Sequence, residues 1–263
     1  WPGLGGYPMS LRTLAGEVGL DRPVYGIQAY GINPGEEPFG TVAEMAAEDV
    51  RAIRRIQPRG PYTLWGYSFG ARLAFETAYQ LEQAGDVVED LFLIAPGSPR
   101  LDIENPKGVL AGGDPAYERA FVTILFSVFG RSISGALCDA CLGAARDEDS
   151  FVAFICEHFP QLEPDQVRRI TRIVRLTYEP DYTFGELVDR CVSAPVTIFK
   201  ADSDDYSFLE TCSGFTRQQP AVIALATDHY SLLKMPHVRE LVWQIRQRLR
   251  AGEAAVPLGR TAD

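Results

Sequence analysis

Ser68 lies in a Gly-x-Ser-x-Gly pattern, Gly66-Tyr67-Ser68-Phe69-Gly70. A short apolar run over 62–65 precedes the pattern, and a helical pattern over 71–84 follows it. A serine on a tight turn between a strand and a helix exposes its hydroxyl at the end of a sheet, beside a helix N-terminus. Glycines at 66 and 70 remove side chains that such a turn and its neighbours would strike. The pattern therefore predicts a nucleophilic serine.

A serine hydroxyl becomes a good nucleophile when a base accepts its proton and a carboxylate orients that base. Of the three histidines, His229 directly follows the last predicted strand, at the sheet edge where Ser68 is expected. His158 lies in a predicted lid, and His237 is expected at the start of the last helix, in contact with solvent. We therefore expect His229 to be the base. The alternative is that it is an ordinary surface histidine.

The predicted acid comes from a group of aspartates that follows the strand over 196–199. The earlier strand over 91–95 ends in Ala95 and Pro96 and offers no carboxylate at this edge. Asp204 lies three residues after the small residue Ala201, the spacing of Gly-x-x-Asp turns. We expect Asp204 to orient His229, with Asp205 second and Asp202 third. The alternative is that all three are solvated loop charges.

The oxygen that becomes negative in the transition state needs two backbone N–H donors. One is expected at Phe69, directly after the serine. The other should come from the glycine-rich loop over 2–6, and Leu4 is the predicted donor because glycines let the backbone approach a substrate closely. A plain glycine turn is the alternative for this loop.

Strands and helices alternate near both ends of the chain. Strands are predicted over 24–28, 62–65, 91–95, 196–199 and 221–226, and this order implies a mostly parallel sheet with helices on both faces. Thr41 and Glu44 predict a capping box for the helix that Pro58 ends. Residues 115–180 contain no convincing strand. We therefore predict an α/β core over 1–100 and 190–250, a helical lid over 101–189 and a disordered tail over 251–263.

Composition limits the possible partners. The chain has 263 residues and no apolar run near the ~20 residues that a membrane span requires. Its net charge of -10 argues against nucleic acid and anionic membranes. Five cysteines, an odd number, indicate reduced thiols and a cytoplasmic setting. Cys138 and Cys141 form a C-x-x-C without a second ligand pair, so we interpret them as thiols on a lid helix and predict no metal site.

Four stretches carry a family resemblance. The serine turn reads Gly-Tyr-Ser-Phe-Gly-Ala-Arg-Leu-Ala-Phe-Glu over 66–76, and Asp-His-Tyr-Ser-Leu-Leu follows over 228–233. With 24–28 and 57–62, these stretches resemble the thioesterase domains that end nonribosomal peptide and polyketide synthetases. The resemblance covers about 1–100 and 190–250 and implies the α/β-hydrolase fold. It also implies that a carrier protein presents an acyl or peptidyl thioester on its phosphopantetheine arm to Ser68, and that hydrolysis or cyclisation releases the product without a cofactor of the enzyme's own.

The position of the acid departs from part of this family. Many synthetase-embedded members carry it where this chain has Ala95 and Pro96, whereas Asp204 resembles the stand-alone editing thioesterases. The absence of an initial Met favours a domain cut from a longer synthetase. The stretches 93–99 and 199–208 resemble siderophore synthetases that build thiazoline rings. The alternatives are a stand-alone editing thioesterase, a small-ester hydrolase, or a non-catalytic hydrolase fold that binds a carrier.

Two patterns in the predicted lid bear on the substrate. The helix over 116–129 is apolar nearly all round, so it must be covered on several sides or line an apolar cavity, which suggests a greasy or aromatic acyl group. Arg168, Arg172 and Arg175 are spaced for one face of a later helix. They could meet the carrier or the phosphate of its arm, or they could form a solvated face.

Overall fold

The computed structural model describes residues 1–18, 23–178, 185–202, 204–205 and 214–255. Its strands are β1 Tyr62–Tyr67, β2 Val88–Ile94, β3 Ser98–Pro99, β4 Val196–Ala201, β5 Asp204–Asp205 and β6 Ala221–Leu225. Four of them form a parallel sheet in the order β1-β2-β4-β6, and β3 pairs with β5 in a short antiparallel sheet. The predicted mostly parallel sheet is confirmed.

The helices lie before, between and after these strands. They are α1 Arg12–Val18, α2 Val42–Ile56, α3 Phe69–Gln83, α4 Arg119–Gly130, α5 Ala136–Ala144, α6 Glu148–His158, α7 Pro164–Thr177 and α8 Val238–Ala255. Thr41 caps α2 by accepting the N–H of Glu44, whose carboxylate in turn accepts the hydroxyl of Thr41. Within the residues described, no helix is long and apolar enough to cross a membrane.

Side chains of the parallel strands alternate between two hydrophobic clusters, because successive residues of a strand point to opposite faces. One cluster joins the sheet to α2 and α3 and includes Leu64, Leu91, Leu93, Val196 and Ile198. The other joins it to α1 and α8 and includes Tyr67, Phe92, Ile94, Phe199 and Ala201. Helices therefore cover both faces of the sheet, as predicted.

Helices α4 to α7 build a third cluster, whose buried members all fall within residues 117–174. Every side chain from Ala120 to Ser127 on α4 is buried, so neighbouring helices cover most of this apolar helix. The described part of 115–180 contains no strand. This separate hydrophobic core favours the prediction of a helical lid. The limits of the lid, 101–189, stay a prediction.

The predicted buried strand over 24–28 is wrong. Residues 23–29 form no strand, and Tyr25 is 61% exposed. The position beside β1 is taken by Trp1, whose backbone nitrogen donates to the carbonyl of Trp65 and whose carbonyl accepts the N–H of Tyr67. A strand needs a neighbour for its backbone groups, and here the first residues of the chain occupy that place.

The predicted tail is also partly wrong. Helix α8 continues to Ala255, so residues 251–255 are helical. Residues 256–263 lie outside the described residues. The backbone hydrogen bonds of an α-helix continue for as long as consecutive residues keep the helical conformation.

Candidate active site

Ser68 occupies the turn between β1 and α3 in a backbone conformation that non-glycine residues rarely adopt. Its φ is 56° and its ψ is -126°, and such strain persists only where the surroundings enforce it. The N–H of Ser68 donates to the carbonyl of Ile94 at 2.9 Å, and its carbonyl accepts the N–H of Ala71 at 2.9 Å. The end of β2 and the first turn of α3 therefore hold the hydroxyl at the carboxyl edge of the sheet.

The two flanking glycines are required by close backbone contacts. A Cβ at Gly66 would lie 2.0 Å from the carbonyl oxygen of Gly70, and a Cβ at Gly70 would lie 2.3 Å from that of Pro2. Neither contact could relax by moving a flexible side chain. The glycines thus allow the turn to form and allow loop 2–6 to pass beside it.

His229 lies in the loop after β6 and is 3% exposed. Its Nε2 is 2.9 Å from the Oγ of Ser68. The carboxylate of Asp228 accepts the N–H groups of Tyr230 and Ser231 at 2.9 and 3.0 Å, which stabilises the loop. The hydroxyl of Tyr67 donates to the carbonyl of His229 at 2.7 Å. The structure therefore brings the predicted base to the predicted nucleophile.

Asp204 is the aspartate that reaches this histidine. Its Oδ2 lies 2.6 Å from the Nδ1 of His229, and its side chain is 1% exposed. Pairing of β5 with β3, which sets Asp204 opposite Pro99, positions the carboxylate. Asp202 and Asp205 are exposed. An Nδ1–H that donates to Asp204 leaves Nε2 free to accept the hydroxyl of Ser68.

The other two histidines lie in different settings. The Nδ1 of His158 is 2.9 Å from the carbonyl of Phe154, and the two rings stack at 4.2 Å. His237 is exposed and directly precedes α8, as predicted. Neither histidine lines the cavity at Ser68.

Loop 2–6 passes beside the serine. A Cβ at Gly3 would lie 3.2 Å from the Cβ of Ser68, and Leu4 lines the same cavity as Ser68. Phe69 is the first residue of α3. The two predicted N–H donors therefore belong to two separate segments that adjoin Ser68, and their roles stay predictions.

The cavity at Ser68, hereafter the Ser68 cavity, has a volume of about 130 Å³. Helix α4 lines it with residues spaced for one helical face, namely Ile124, Ser127 and Val128, and with the following Arg131. Hydroxyl-bearing side chains also line it: Tyr7, Ser10, Ser98, Tyr178 and Tyr230. The walls are therefore more polar than the apolar sequence of α4 suggested.

Sequence reasoning missed two tyrosines next to His229. Tyr67 lies 5.2 Å from His229 between ring centroids, and Tyr230 lies 5.0 Å from it, edge to face. Burial raises the pKa of Tyr230 above its usual value, although the hydrogen bond with Ser127 opposes this effect. Tyr230 thus connects the histidine loop to α4. Adjacency in the sequence was the only signal for either residue.

The C-x-x-C pair is buried on α5, where burial raises the pKa of Cys138 to about 11 and that of Cys141 to about 12. Both therefore stay protonated near neutral pH, which makes them poor nucleophiles and metal ligands. Among the residues described, no group of three or more His, Cys, Asp or Glu side chains could hold a metal ion. Cys212 lies outside the described residues.

The three arginines of α7 have partners within the chain. Arg168 pairs with Glu148 at 3.2 Å and with Asp149 at 2.7 Å, and Arg172 pairs with Glu37. The guanidinium of Arg175 lies over the rings of Tyr117 and Phe121, at 5.1 and 5.4 Å. These contacts favour a structural role for the stripe over carrier docking.

Comparison with known proteins places this geometry in a family. Residues 1–124 match the family model described as Thioesterase domain. An indigoidine synthase of Streptomyces lavendulae is 56% identical over 250 residues, which are 95% of this chain and 19% of the relative. One of Dickeya dadantii (strain 3937) is 57% identical over 244 residues, 92% of this chain and 16% of the relative. This chain therefore spans less than a fifth of the length of these curated relatives.

Solved structures agree on the fold. The Vlm2 thioesterase domain superposes with a TM-score of 0.67 at 20% identity, covering 94% of this chain and 90% of that one. A four-domain nonribosomal peptide synthetase, holo-AB3403, gives a TM-score of 0.69 at 20% identity, covering 94% and 19%. At this identity the likeness shows the α/β-hydrolase fold alone.

The match to the thioesterase family covers just under half of the chain, and the superpositions show the α/β-hydrolase fold over nearly all of it. A nonribosomal peptide synthetase of Aspergillus terreus (strain NIH 2624 / FGSC A1156), apvA, is 50% identical over 246 residues, which are 88% of this chain and 26% of the relative. The predicted siderophore context is not tested by these relatives and stays a prediction.

Proposed function

We propose that this domain releases an acyl or peptidyl chain from the phosphopantetheine thioester of a carrier protein, through an acyl-enzyme on Ser68. The observation that supports this most directly is the buried chain of contacts from Ser68 through His229 to Asp204, at 2.9 and 2.6 Å. These distances suit proton transfer from the serine hydroxyl to the imidazole.

In the first step, the Oγ of Ser68 attacks the thioester carbonyl while Nε2 of His229 takes its proton. Asp204 holds the imidazole in the required tautomer and stabilises the imidazolium that forms. Backbone N–H groups of Leu4 and Phe69 donate to the oxyanion. The C–S bond then breaks, and the proton on His229 passes to the departing thiolate.

In the second step, the acyl-enzyme is released. Water, or a nucleophile within the acyl chain, loses its proton to His229 and attacks the ester carbonyl. The Oγ of Ser68 leaves and regains a proton. Release yields a free acid with water and a cyclic product with an internal nucleophile.

The chain's similarity lies with part of much longer synthetases, so we propose that a carrier domain of the same protein is its partner. Two relatives are named indigoidine synthase, and we propose that the whole protein acts in a synthesis of that kind. The cysteine count still favours a cytoplasmic setting.

The test uses fluorophosphonate labelling together with hydrolysis of an acyl thioester on a carrier. The wild type should be labelled and should release the acyl group, whereas Ser68→Ala should do neither. Turnover in Ser68→Ala should fall by a factor on the order of 10⁴ or more. Lack of labelling of the wild type, or equal turnover of the two proteins, would contradict the proposal. Faster turnover of simple oxygen esters than of carrier thioesters would favour a small-ester hydrolase.

A further inference from the structure

The Ser68 cavity differs in charge from the chain as a whole. The chain carries 35 acidic and 25 basic side chains. Apart from His229, the charged residues that line the Ser68 cavity are Arg131 and Lys234, and no carboxylate lines it in the part of the chain described. The cavity in which the thioester reacts therefore has cationic walls within an acidic protein.

The two cations come from different walls. Arg131 follows the last residue of α4, with a left-handed φ of 52°, and its N–H donates to the carbonyl of Ser127 at 2.8 Å. Lys234 follows the short helix Ser231–Leu233 in the segment that carries His229. Its Nζ donates to the carbonyl of Arg131 at 2.8 Å. This contact brings the two cationic residues together across the cavity.

Neither side chain is neutralised within the described residues. No carboxylate there forms a salt bridge with Arg131 or Lys234, whereas Arg168 and Arg172 of the same lid are both paired. Both residues line the Ser68 cavity and place two positive charges at its wall. A group with negatively charged oxygens can accept charge-assisted hydrogen bonds from them. Both residues are exposed, so a ligand can reach them.

We propose that Arg131 and Lys234 form an anion-binding subsite of the Ser68 cavity, which holds a negatively charged oxygen group of the thioester substrate. The inference rests on the proposed function, since it places the subsite beside the acyl-enzyme. The group has two possible sources: the phosphate of the phosphopantetheine arm, or a carboxylate on the acyl chain.

The experiment compares two double variants. Arg131→Gln/Lys234→Gln is hereafter the cavity variant, and Arg239→Gln/Lys107→Gln is the control variant. The control residues are exposed, form no ion pair among the described residues and do not line the cavity. One substrate pair carries the same neutral acyl group on phosphopantetheine and on pantetheine. A second pair, on pantetheine, carries an acyl chain that ends in a carboxylate or in a carboxamide.

The cavity variant should lose about tenfold in kcat/KM for the anionic member of one pair and keep its value for the neutral member. Loss confined to phosphopantetheine assigns the subsite to the arm, and loss confined to the carboxylate assigns it to the acyl chain. The control variant should match the wild type throughout. Arg131→Lys should retain most of the preference.

Equal losses on anionic and neutral substrates would overturn the inference, because they indicate that the Lys234 contact only positions the lid. No loss on either pair would overturn it as well. Failure of the proposed function is seen separately, as absence of wild-type turnover of every thioester. In that case, calorimetric binding of both substrate pairs to Ser68→Ala still decides the subsite. A preference for the anionic member of either pair that disappears in the cavity variant supports it, and equal or absent binding in both pairs overturns it.

Discussion

Loop 2–6 lines two cavities, which share Gly3 but differ in size and charge. The Ser68 cavity is about 130 Å³ and has cationic walls. The second, hereafter the α2 cavity, is about 230 Å³ and is lined mainly by α2, the start of α3, α7 and residues 27–39. Its charged residues are three carboxylates and one arginine: Glu36, Glu48, Asp49 and Arg55.

The contrast shows that cavity size does not locate the chemistry. The α2 cavity is larger, yet among the residues described neither a histidine nor a serine lines it. The Ser68 cavity lies where the ends of parallel strands and the loops after them converge, and such edges collect reactive groups in open α/β sheets. Asp49 in the α2 cavity accepts the indole N–H of Trp1 at 2.7 Å, which is a packing contact.

The strongest test of this contrast is Asp204→Asn, with Asp205→Asn as the control. Loss of the carboxylate should favour the wrong tautomer of His229 and lower kcat by about 10⁴-fold. Asp205 is exposed, whereas Asp204 is buried against His229, so Asp205→Asn should keep nearly full activity. Steady-state kinetics on an acyl thioester checks both, and a larger loss in Asp205→Asn would mean that the acid is misassigned.

Asp49→Asn, a change in the α2 cavity, should alter the stability of the protein and leave its activity unchanged. Burial raises the pKa of Asp49 to about 6 from 3.8, although the hydrogen bond from Trp1 opposes this effect. Between about pH 4 and 6 the native state binds more protons than the unfolded state, so the free energy of unfolding falls as pH rises. Asp49→Asn should not lose stability over this pH range. At pH 7 its free energy of unfolding should exceed that of the wild type by at most about 3 kcal/mol.

Urea unfolding of both proteins at pH 4 and pH 7 measures this difference, and thioesterase activity should stay unchanged. A pH dependence that is identical in the two proteins would show that Asp49 does not titrate in this range. Loss of activity in Asp49→Asn would instead connect the α2 cavity to the reaction.

Tyr67→Phe tests whether the hydrogen bond from Tyr67 positions His229 in the Ser68 cavity. Tyr62→Phe is the matched change at the other end of β1. Each variant loses one hydroxyl bond to a carbonyl, that of His229 at 2.7 Å or that of Gln57 at 2.9 Å. Each should lose about 1 kcal/mol of stability. Only Tyr67→Phe should also lower kcat, by roughly fivefold, because its partner carries the base. Equal kcat values in the two variants would argue against this positioning role.

Arg172→Gln should have the smallest effect. The side chains of Arg172 and Glu37 are 58% and 73% exposed, and such pairs contribute about 0–1 kcal/mol. Turnover of a carrier-bound substrate should match the wild type. A loss seen with the carrier but not with a pantetheine substrate would restore the docking hypothesis for α7.

Much of the site could be predicted because it depends on short-range patterns. A serine between two glycines at a strand end specifies the turn, and the residue after a strand must lie at the sheet edge. Short apolar runs over 62–65, 91–95 and 196–199 predicted β1, β2 and β4. These inferences need only local sequence and the order of elements, and the structure brings Ser68, Asp204 and His229 together as expected.

Contacts between distant segments could not be predicted. Residues 24–28 have the composition of a strand, but whether another strand pairs with them is decided only when the sheet packs. Lys234 meets Arg131 and Tyr67 meets His229 only after folding, across 103 and 162 residues of sequence. The sequence alone therefore predicted which three residues the structure brings together, and their order along the chain. Tertiary packing decided the shape and charge of the cavity around them, because cavity walls come from separate elements whose approach no local pattern encodes.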